Sequence, residues 1–406
     1  MTDNKSCRSA GKSSKTYIVV TAFLSLFAIV GIALYGLPFF YDFWESSFGW
    51  SRTEITSGNA LGKLIIAPLF GFIAGWLIDS YGPRKLMITG VLMAGMALVG
   101  LSLTDGSKVL FYSFYILNAL GYVFAGPLPC QVLISRWFEK NRGKAMGIAY
   151  LGIGTGGALV PLLANGFEMR FGWQVALIAL GVIMVIVALP MAFFIKDPGT
   201  KNVKKDAPAQ PPPVSIKSIL TNRNFYFLCL GSMCAIGVVG GVNQHLKLYL
   251  RDLEFTQDKA AHIISLVLLS SLIGRVAMGW LADIFSRKYV MILINLMVAS
   301  SIPMLMIPDF SARIYIFAVV FGIGLGGDYM IIPLMAGDLF GVRALGRTMG
   351  IILVADGIAE SLFPMMVGYI YDNAGNSYMP AFAVLICIAL TGAFVISLLP
   401  KKTQKD

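Results

Sequence analysis

The chain has 406 residues, of which 57% are apolar and only 13% are charged. Soluble domains carry about 25% charged residues, so this composition excludes a soluble globular protein. The net charge of +11 does not indicate a nucleic-acid partner, because the basic residues lie in loops between apolar segments and in the two tails.

Apolar runs of about 20 residues, long enough to cross a bilayer as an α-helix, recur along the whole sequence. Lipid offers no partner for backbone N–H and C=O groups, so each run is expected to be helical. The predicted fold class is an all-α membrane protein with twelve transmembrane helices. The expected spans are 17–41, 54–79, 85–104, 109–136, 142–167, 173–195, 224–250, 258–284, 289–307, 311–338, 344–371 and 378–399.

The distribution of lysine and arginine predicts the orientation. Both tails and alternate loops hold 23 of the 32 basic residues, whereas the opposite loops hold six. The positive-inside rule then places both termini in the cytoplasm. The polar, basic segment before Tyr17 and the long first span predict no cleaved signal peptide. We expect a multi-pass protein of the cell (inner) membrane.

Residues 196–221 contain several lysines and the run Pro211-Pro212-Pro213, which is typical of a solvated linker. The expected domains are a cytoplasmic tail (1–16), an N-terminal six-helix bundle (17–195), this cytoplasmic linker (196–221), a C-terminal six-helix bundle (222–399) and a second cytoplasmic tail (400–406).

The two halves repeat each other. Gly75–Asp79 reads Gly-Trp-Leu-Ile-Asp, and Gly279–Asp283 reads Gly-Trp-Leu-Ala-Asp 204 residues later. Gly143–Ile148 and Gly346–Ile351 match in the same way at an offset of 203. Duplicated six-helix units are a hallmark of secondary transporters, so the bundles are expected to be pseudo-symmetric.

These motifs resemble the major facilitator superfamily over nearly the whole chain. Within it, Phe48–Arg52, Arg136-Trp137-Phe138 and the segment around His245 are similar to bacterial members of the monocarboxylate transporter family, and more distantly to the oxalate/formate antiporter. The resemblance implies the major facilitator fold, transport by alternating access and a monomer. It also implies that Asp79 with Arg84 and Asp283 with Arg287 act as cytoplasmic gates. The alternative is a plain basic loop with an incidental acid.

The second half carries ionisable residues where the first half is apolar. Each charge at the bilayer centre costs at least about 2.5 to 3.5 kcal/mol, so four such charges indicate function. By the repeat alignment the pairs are Arg275 and Gly71, Asp328 and Ala125, Asp356 and Ile153, and Glu360 and Gly157.

Arg275 lies eight residues before Asp283, about 12 Å along the helix, and therefore near mid-membrane. A guanidinium can hold a carboxylate through two parallel hydrogen bonds, which predicts an organic anion as substrate. The resemblance also implies substrate contact at this position. The alternative is a permanent structural pair with Asp328 or Asp356.

Asp356 and Glu360 are four residues apart and share one helix face. Two such carboxylates resist double ionisation, so they are candidates for proton coupling, with Asp328 as a third. The equally open alternative is neutralisation of Arg275 or Lys63 without titration.

Further polar residues are candidates for substrate binding. Lys63 could provide a second anion contact or reach outward towards the membrane interface. His245 could titrate or remain an interfacial histidine. Interhelical packing is the alternative for the remaining candidates. These are Tyr35, Tyr115, Asn118, Tyr122, Asn243 and Tyr329.

Two departures from the family shape the prediction. Ser271 stands where animal monocarboxylate transporters have an aspartate, and Asp356 stands where the oxalate/formate antiporter has a lysine. A dianion would be repelled by Asp356. We therefore predict proton-coupled symport of a small monocarboxylate such as lactate or pyruvate, with a zwitterion or larger organic acid as the alternative.

A membrane receptor that senses its ligand without transport is the rival from another class. We find no nucleophile paired with a base, no metal-ligand spacing, and no phosphate-binding loop. The sequence therefore predicts no enzyme activity, no cofactor and no metal. The expected partners are an organic anion, protons and the lipid bilayer.

Overall fold

The computed structural model describes residues 3–195, 216–307 and 311–400, and these residues are almost entirely helical. The α-helices are α1 (Asp3–Leu26), α2 (Tyr41–Phe48), α3 (Arg52–Leu61), α4 (Ala67–Tyr81), α5 (Pro83–Ser102), α6 (Lys108–Ala125), α7 (Pro127–Trp137), α8 (Arg142–Phe171), α9 (Trp173–Phe193), α10 (Ile216–Leu220), α11 (Arg223–Asp252), α12 (Gln257–Ile284), α13 (Arg287–Ser301), α14 (Ser311–Phe340), α15 (Leu345–Asn373) and α16 (Met379–Ser397). The all-α prediction is confirmed.

Ten helical stretches in the described residues are long and apolar enough to cross a membrane. Two predicted spans fall outside this group. The span at 54–79 corresponds to α3 and α4, which a π-helical segment, Gly62–Ile66, separates. The span at 289–307 corresponds to α13, which has 15 residues and continues into a 3₁₀ turn at Ile302–Met304. The count of twelve and the cytoplasmic position of both termini stay predictions.

Tertiary contacts divide the chain into two compact units. Unit 1 comprises the described residues within Met1–Glu139, Ile148–Val214 and Val342–Ile351. Unit 2 comprises those within Lys140–Gly147, Ser215–Gly341 and Ile352–Asp406. The start of α8 thus belongs to unit 2 and the start of α15 to unit 1. The predicted linker lies largely outside the described residues, as does most of the C-terminal tail, so the predicted domain boundaries remain untested.

Aromatic residues pack among aliphatic ones in the core of each unit. In unit 1, Trp44 packs edge-to-face on Phe111 at 5.0 Å between ring centroids, and Tyr115 lies 4.8 Å from Phe111. In unit 2, Tyr249 packs edge-to-face on Phe382, also at 5.0 Å. Each such pair contributes about 0.5 to 1.5 kcal/mol beyond its buried area. These clusters anchor the helices on which the polar residues lie.

The first predicted span is not a regular α-helix. A π-helix, Phe27–Gly36, follows α1, and a 3₁₀ turn containing Pro38 follows the π-helix. In a π-helix the carbonyl of residue i accepts from the N–H five residues later, and for Ala33 that residue is Pro38, which has no N–H. The Asn118 side-chain amide donates to the Ala33 carbonyl at 3.0 Å and replaces the missing donor.

Candidate functional site

Unit 2 gathers Arg275, Asp328, Asp356 and Glu360, the four ionisable residues singled out in the sequence. Close approach of α12 and α14 brings the first two together. A Cβ built on Gly326 of α14 would overlap the Ser271 carbonyl oxygen and lie 2.8 Å from the Arg275 backbone nitrogen. Only glycine permits this approach, and it brings Asp328, two residues further along α14, close to Arg275.

Asp328 is almost fully enclosed, with 1% of its surface exposed. Its Oδ1 accepts a hydrogen bond from the Tyr329 backbone N–H at 2.6 Å, and its carboxylate interacts electrostatically with Arg275. Arg275 itself is half-buried. Arg275 therefore lies within electrostatic range of Asp328, and both alternatives from the sequence, substrate contact and a structural pair, stay open.

Asp356 is equally enclosed, with 2% of its surface exposed. The Ser232 hydroxyl of α11 donates to Asp356 Oδ1 at 2.6 Å, and Ser232 is itself fully buried. The other carboxylate oxygen, Oδ2, has no hydrogen-bond partner among the described residues. Sequence reasoning missed Ser232, since a single serine in an apolar span carries no pattern.

Glu360 lies one helical turn after Asp356 and is half-buried. Its Oε2 accepts a hydrogen bond from the Tyr329 hydroxyl at 3.1 Å, so α14 and α15 are linked at this level. Glu360 interacts electrostatically with both Asp328 and Asp356. The cluster therefore sets three carboxylic acids against one guanidinium, and full ionisation of all three would leave net negative charge in a poorly hydrated site.

His245 of α11 bridges two other elements of unit 2. Its Nε2 lies 2.9 Å from the Pro364 carbonyl oxygen and its Nδ1 lies 3.2 Å from the Tyr378 hydroxyl. A carbonyl can only accept, so Nε2 carries a proton, and Nδ1 accepts from Tyr378 when the ring is neutral. Asn243 and Lys247, in contrast, are exposed.

The polar candidates of the first half lie in unit 1. Tyr115 and Asn118 are buried in helix contacts, the second through its bond to Ala33. Tyr122 is half-buried, whereas Tyr35 is 49% exposed and its ring packs beside Gly157. The side chain of Lys63 lies outside the described residues. The substrate-binding role of these residues stays a prediction.

The duplicated motif places a carboxylate at a helix N-terminus in each unit. In unit 1, Asp79 accepts from the backbone N–H groups of Gly346 and Arg347 at 3.1 and 3.0 Å. In unit 2, Asp283 accepts from those of Gly143 and Lys144 at 2.7 and 2.8 Å. The first N–H groups of a helix have no partner within the helix, and its dipole attracts negative charge, so both contacts are favourable.

The basic neighbours of these acids differ from the expected ones. Asp79 has Arg136 and Arg347 within 3.9 and 3.8 Å, whereas Arg84 is exposed. Arg287 is buried and donates to the Leu334 carbonyl and to the Asp338 carboxylate of α14. The guanidinium groups nearest Asp79 thus come from more distant parts of the sequence, which a local motif cannot reveal.

The chain matches a known protein family along most of its length. The family model described as Major Facilitator Superfamily matches residues 21–266 and 228–406. The chain is 24% identical to Monocarboxylate transporter 13 of Rattus norvegicus over 394 residues, covering 94% of this chain and 88% of the relative. It is 26% identical to the Fujikurins efflux protein of Gibberella fujikuroi over 336 residues, covering 81% of this chain and 70% of the relative.

Solved structures agree on the fold. The proton:xylose symporter XylE superimposes with a TM-score of 0.74 at 16% identity, covering 97% of this chain and 98% of that one. The transporter FucP superimposes with a TM-score of 0.71 at 16% identity, covering 95% of this chain and 100% of that one. With a family model that matches nearly every described helix, this multi-pass membrane protein belongs to the Major Facilitator Superfamily of transporters and is not an enzyme.

Proposed function

We propose that this chain is a secondary active transporter that carries a small monocarboxylate, lactate- or pyruvate-like, together with a proton by alternating access. The observation that carries the proposal is the half-buried Arg275 that acts electrostatically on the enclosed acid Asp328, which in turn interacts with the enclosed Asp356 in the same unit. The similarity to Monocarboxylate transporter 13 supports the substrate class.

Arg275 has the chemistry to bind the substrate. Its guanidinium stays charged at all physiological pH values and presents a planar donor pair that matches a carboxylate. Asp328 interacts electrostatically with this guanidinium. A substrate carboxylate would compete with Asp328 for the same guanidinium, so binding becomes favourable when the cluster loses negative charge.

A proton can remove that charge. Three acids face one arginine, and protonation of one of them lowers the repulsion that an arriving anion meets. Ser271 stands where animal monocarboxylate transporters have an aspartate, and here the carboxylate of Asp328 on α14 would take that role beside Arg275. Substrate and proton would thus enter the site together, which is symport.

The gates would be the two carboxylates at helix N-termini. Asp79 belongs to the first half of the sequence and binds the start of α15, and Asp283 belongs to the second half and binds the start of α8. Each contact consists of a few hydrogen bonds that can break and re-form. Such contacts, worth about 0.3 to 1 kcal/mol through the helix dipole alone, suit a reversible gate.

The family resemblance and the distribution of basic residues support expectations about oligomeric state, location and partners. We expect a monomer in the cell (inner) membrane with both termini in the cytoplasm. Its partners would be the organic anion, protons and lipid, with no nucleic acid.

A zwitterion or larger organic acid is the second candidate, and export is the second direction. The excess of carboxylates over arginine would suit a substrate that carries an amine as well as a carboxylate. Two relatives carry names of efflux proteins, the Fujikurins efflux protein and the Agnestins efflux protein AgnL12, which favours export.

The test is uptake of labelled L-lactate into proteoliposomes of the purified protein with an alkaline interior. The expected result is accumulation that a protonophore abolishes and that Arg275→Ala removes. Exposed Arg343 provides a matched control, so Arg343→Ala should transport normally. No uptake of lactate or pyruvate, together with uptake of zwitterions or larger acids, would replace the first candidate by the second.

A further inference from the structure

The three acids of unit 2 differ in how their oxygens are satisfied. Asp328 Oδ1 accepts the Tyr329 backbone N–H, and its Oδ2, like that of Asp356, has no hydrogen-bond partner among the described residues. The Asp328 carboxylate differs from that of Asp356 because the guanidinium of Arg275 acts on it electrostatically. Glu360 is half-buried and accepts the Tyr329 hydroxyl. Asp356 is fully enclosed and has a neutral hydroxyl, from Ser232, as its donor. The environment therefore separates the three acids into distinct roles.

We infer that Asp356 binds and releases the transported proton at Oδ2, and that Ser232 is the positioning residue that holds Oδ1 and leaves Oδ2 open. This inference rests on the proposed proton-coupled function and deepens it, because it selects one acid from three. It also assigns a role to Ser232, which no sequence motif marks.

The geometry favours Oδ2 as the proton-binding atom. Oδ1 already receives the Ser232 O–H at 2.6 Å, and a second proton on that oxygen would face the first. Oδ2 is buried without a hydrogen-bond partner among the described residues, and an ionised oxygen in that condition is costly. Protonation at Oδ2 removes the charge, while the Ser232 bond keeps the carboxyl group in the same orientation.

The surroundings of Asp356 supply the coupling. The titratable groups that act on it are Asp328 from α14 and Glu360 from its own helix, and the Cys229 thiol lies on α11 one turn before Ser232. Asp328 in turn interacts with Arg275. Protonation of Asp356 lowers its electrostatic repulsion of Asp328 and Glu360. Because Asp328 interacts with Arg275, the charge of Asp356 then affects the arginine indirectly. Release of the proton would reverse this change and weaken anion binding.

Infrared spectroscopy tests the inference without any substrate. Purified protein in lipid is titrated with pH while the C=O stretching band of protonated carboxylic acids, which ionised carboxylates lack, is followed. We expect a titrating band that disappears in Asp356→Asn and persists, at a shifted frequency, in Asp356→Glu. Persistence of the whole band in Asp356→Asn, or its loss only in Asp328→Asn or Glu360→Gln, would overturn the assignment.

Ser232 is tested by the midpoint of the same titration. Hydrogen bonds to charged groups contribute about 1.5 to 3 kcal/mol and one pH unit corresponds to about 1.36 kcal/mol, so Ser232→Ala should raise the midpoint by about one pH unit or more. Ser232→Cys, which keeps the size but donates weakly, should give an intermediate shift. An unchanged midpoint in Ser232→Ala would show that the serine only packs.

Ser301 is the matched control. It is buried like Ser232, but its hydroxyl donates to the Val298 carbonyl of its own helix at 2.7 Å. Ser301→Ala should therefore leave the midpoint unchanged, and an equal shift in both alanine variants would overturn the specific role of Ser232.

Transport measurements on Asp356→Asn test this inference separately from the proposed function. We expect Asp356→Asn to lose pH-driven accumulation of lactate but to retain lactate exchange across the membrane, since exchange needs no net proton movement. Intact pH-driven accumulation in Asp356→Asn would overturn the inference while leaving proton-coupled transport in place. A wild-type protein that shows the titrating band but no lactate uptake would instead contradict the proposed substrate and leave Asp356 as the proton site.

Discussion

The two sequence halves share a scaffold but not a chemistry. The acid at the end of α4 and the acid at the end of α12 each accept two backbone N–H groups from a helix start. In contrast, the ionisable residues Arg275, Asp328 and Asp356 have glycine, alanine and isoleucine as repeat partners. The contacts between an acid and a helix start thus occur in both halves, whereas the charged residues of the spans occur mainly in the second. We therefore expect the duplicated positions to serve helix contacts and the unmatched charges to serve substrate and proton.

Arg275→Lys tests the charged residues of the second half, and we expect it to have the largest effect on transport. A lysine keeps the charge but loses the paired donors, so we expect the KM for the carboxylate to rise about 10- to 100-fold, corresponding to the loss of one charge-assisted hydrogen bond. Uptake kinetics in proteoliposomes measure this. Normal affinity in the lysine variant would show that two-point recognition is wrong.

Alanine at the duplicated glycines tests the shared scaffold. A Cβ on Gly75 would overlap the Gly346 carbonyl, and one on Gly279 would crowd the Gly143 carbonyl. We expect Gly75→Ala and Gly279→Ala each to lower the free energy of unfolding by about 1 to 3 kcal/mol. Gly166, which has open space around it, is the control, and Gly166→Ala should be tolerated. A loss in only one of the two variants would show that the halves are not mechanically equivalent.

Asn118→Ala separates packing from substrate binding in the first half. It removes the donor to the Ala33 carbonyl, and an unsatisfied buried carbonyl costs about 1 to 3 kcal/mol. We expect a lower melting temperature with an unchanged KM, because the amide is used inside unit 1. Exposed Asn165 of α8 serves as the control, and Asn165→Ala should have a normal melting temperature. A raised KM with normal stability would return Asn118 to the substrate site.

The gates should show the smallest effect and refine the comparison. Asp79→Asn removes a charge that two arginine side chains and a helix N-terminus stabilise, and Asp283→Asn removes one whose described bonds are to backbone N–H groups. Opening is measured by labelling of a cysteine introduced on the side that we expect to be cytoplasmic. We expect Asp79→Asn to increase labelling more than Asp283→Asn does, and the free energy of opening to differ between the two variants by about 0.3 to 1 kcal/mol. Equal labelling would indicate that the arginine residues contribute nothing to closure.

Particular residues show how far sequence reasoning reaches. Arg275 and Asp356 stood out because charged residues are rare in apolar spans, and the repeat alignment showed that each is specific to the second half. Asp79 and Asp283 stood out through duplication. The contacts of Ser232, Arg136 and Arg347 were not predicted, since a serine in an apolar span or an arginine near a helix end is common and its partner is seen only in the structure.

In the first half, the sequence predicts that the spans are helical but does not predict their type of helix. The spans at 17–41 and 54–79 are predicted to be helical, and in the structure both contain π-helical segments that hydropathy does not indicate. Hydropathy reports the length of an apolar run and is insensitive to the register of its hydrogen bonds. Pro38 marks a break in the first span, but only the contact between Asn118 and Ala33 explains how its backbone is satisfied.

By itself the sequence determined the helical membrane fold, the duplication and the placement of charge in the second half. The bilayer imposes those features through simple rules on apolar length, backbone hydrogen bonding and the cost of buried charge, and each rule can be read along the chain. Only the tertiary structure decided which atoms meet: Ser232 with Asp356, Tyr329 with Glu360, and Asp79 with the start of α15. Those contacts join residues more than 30 and up to 268 positions apart. Such pairings depend on the packing of whole helices, which no local pattern encodes.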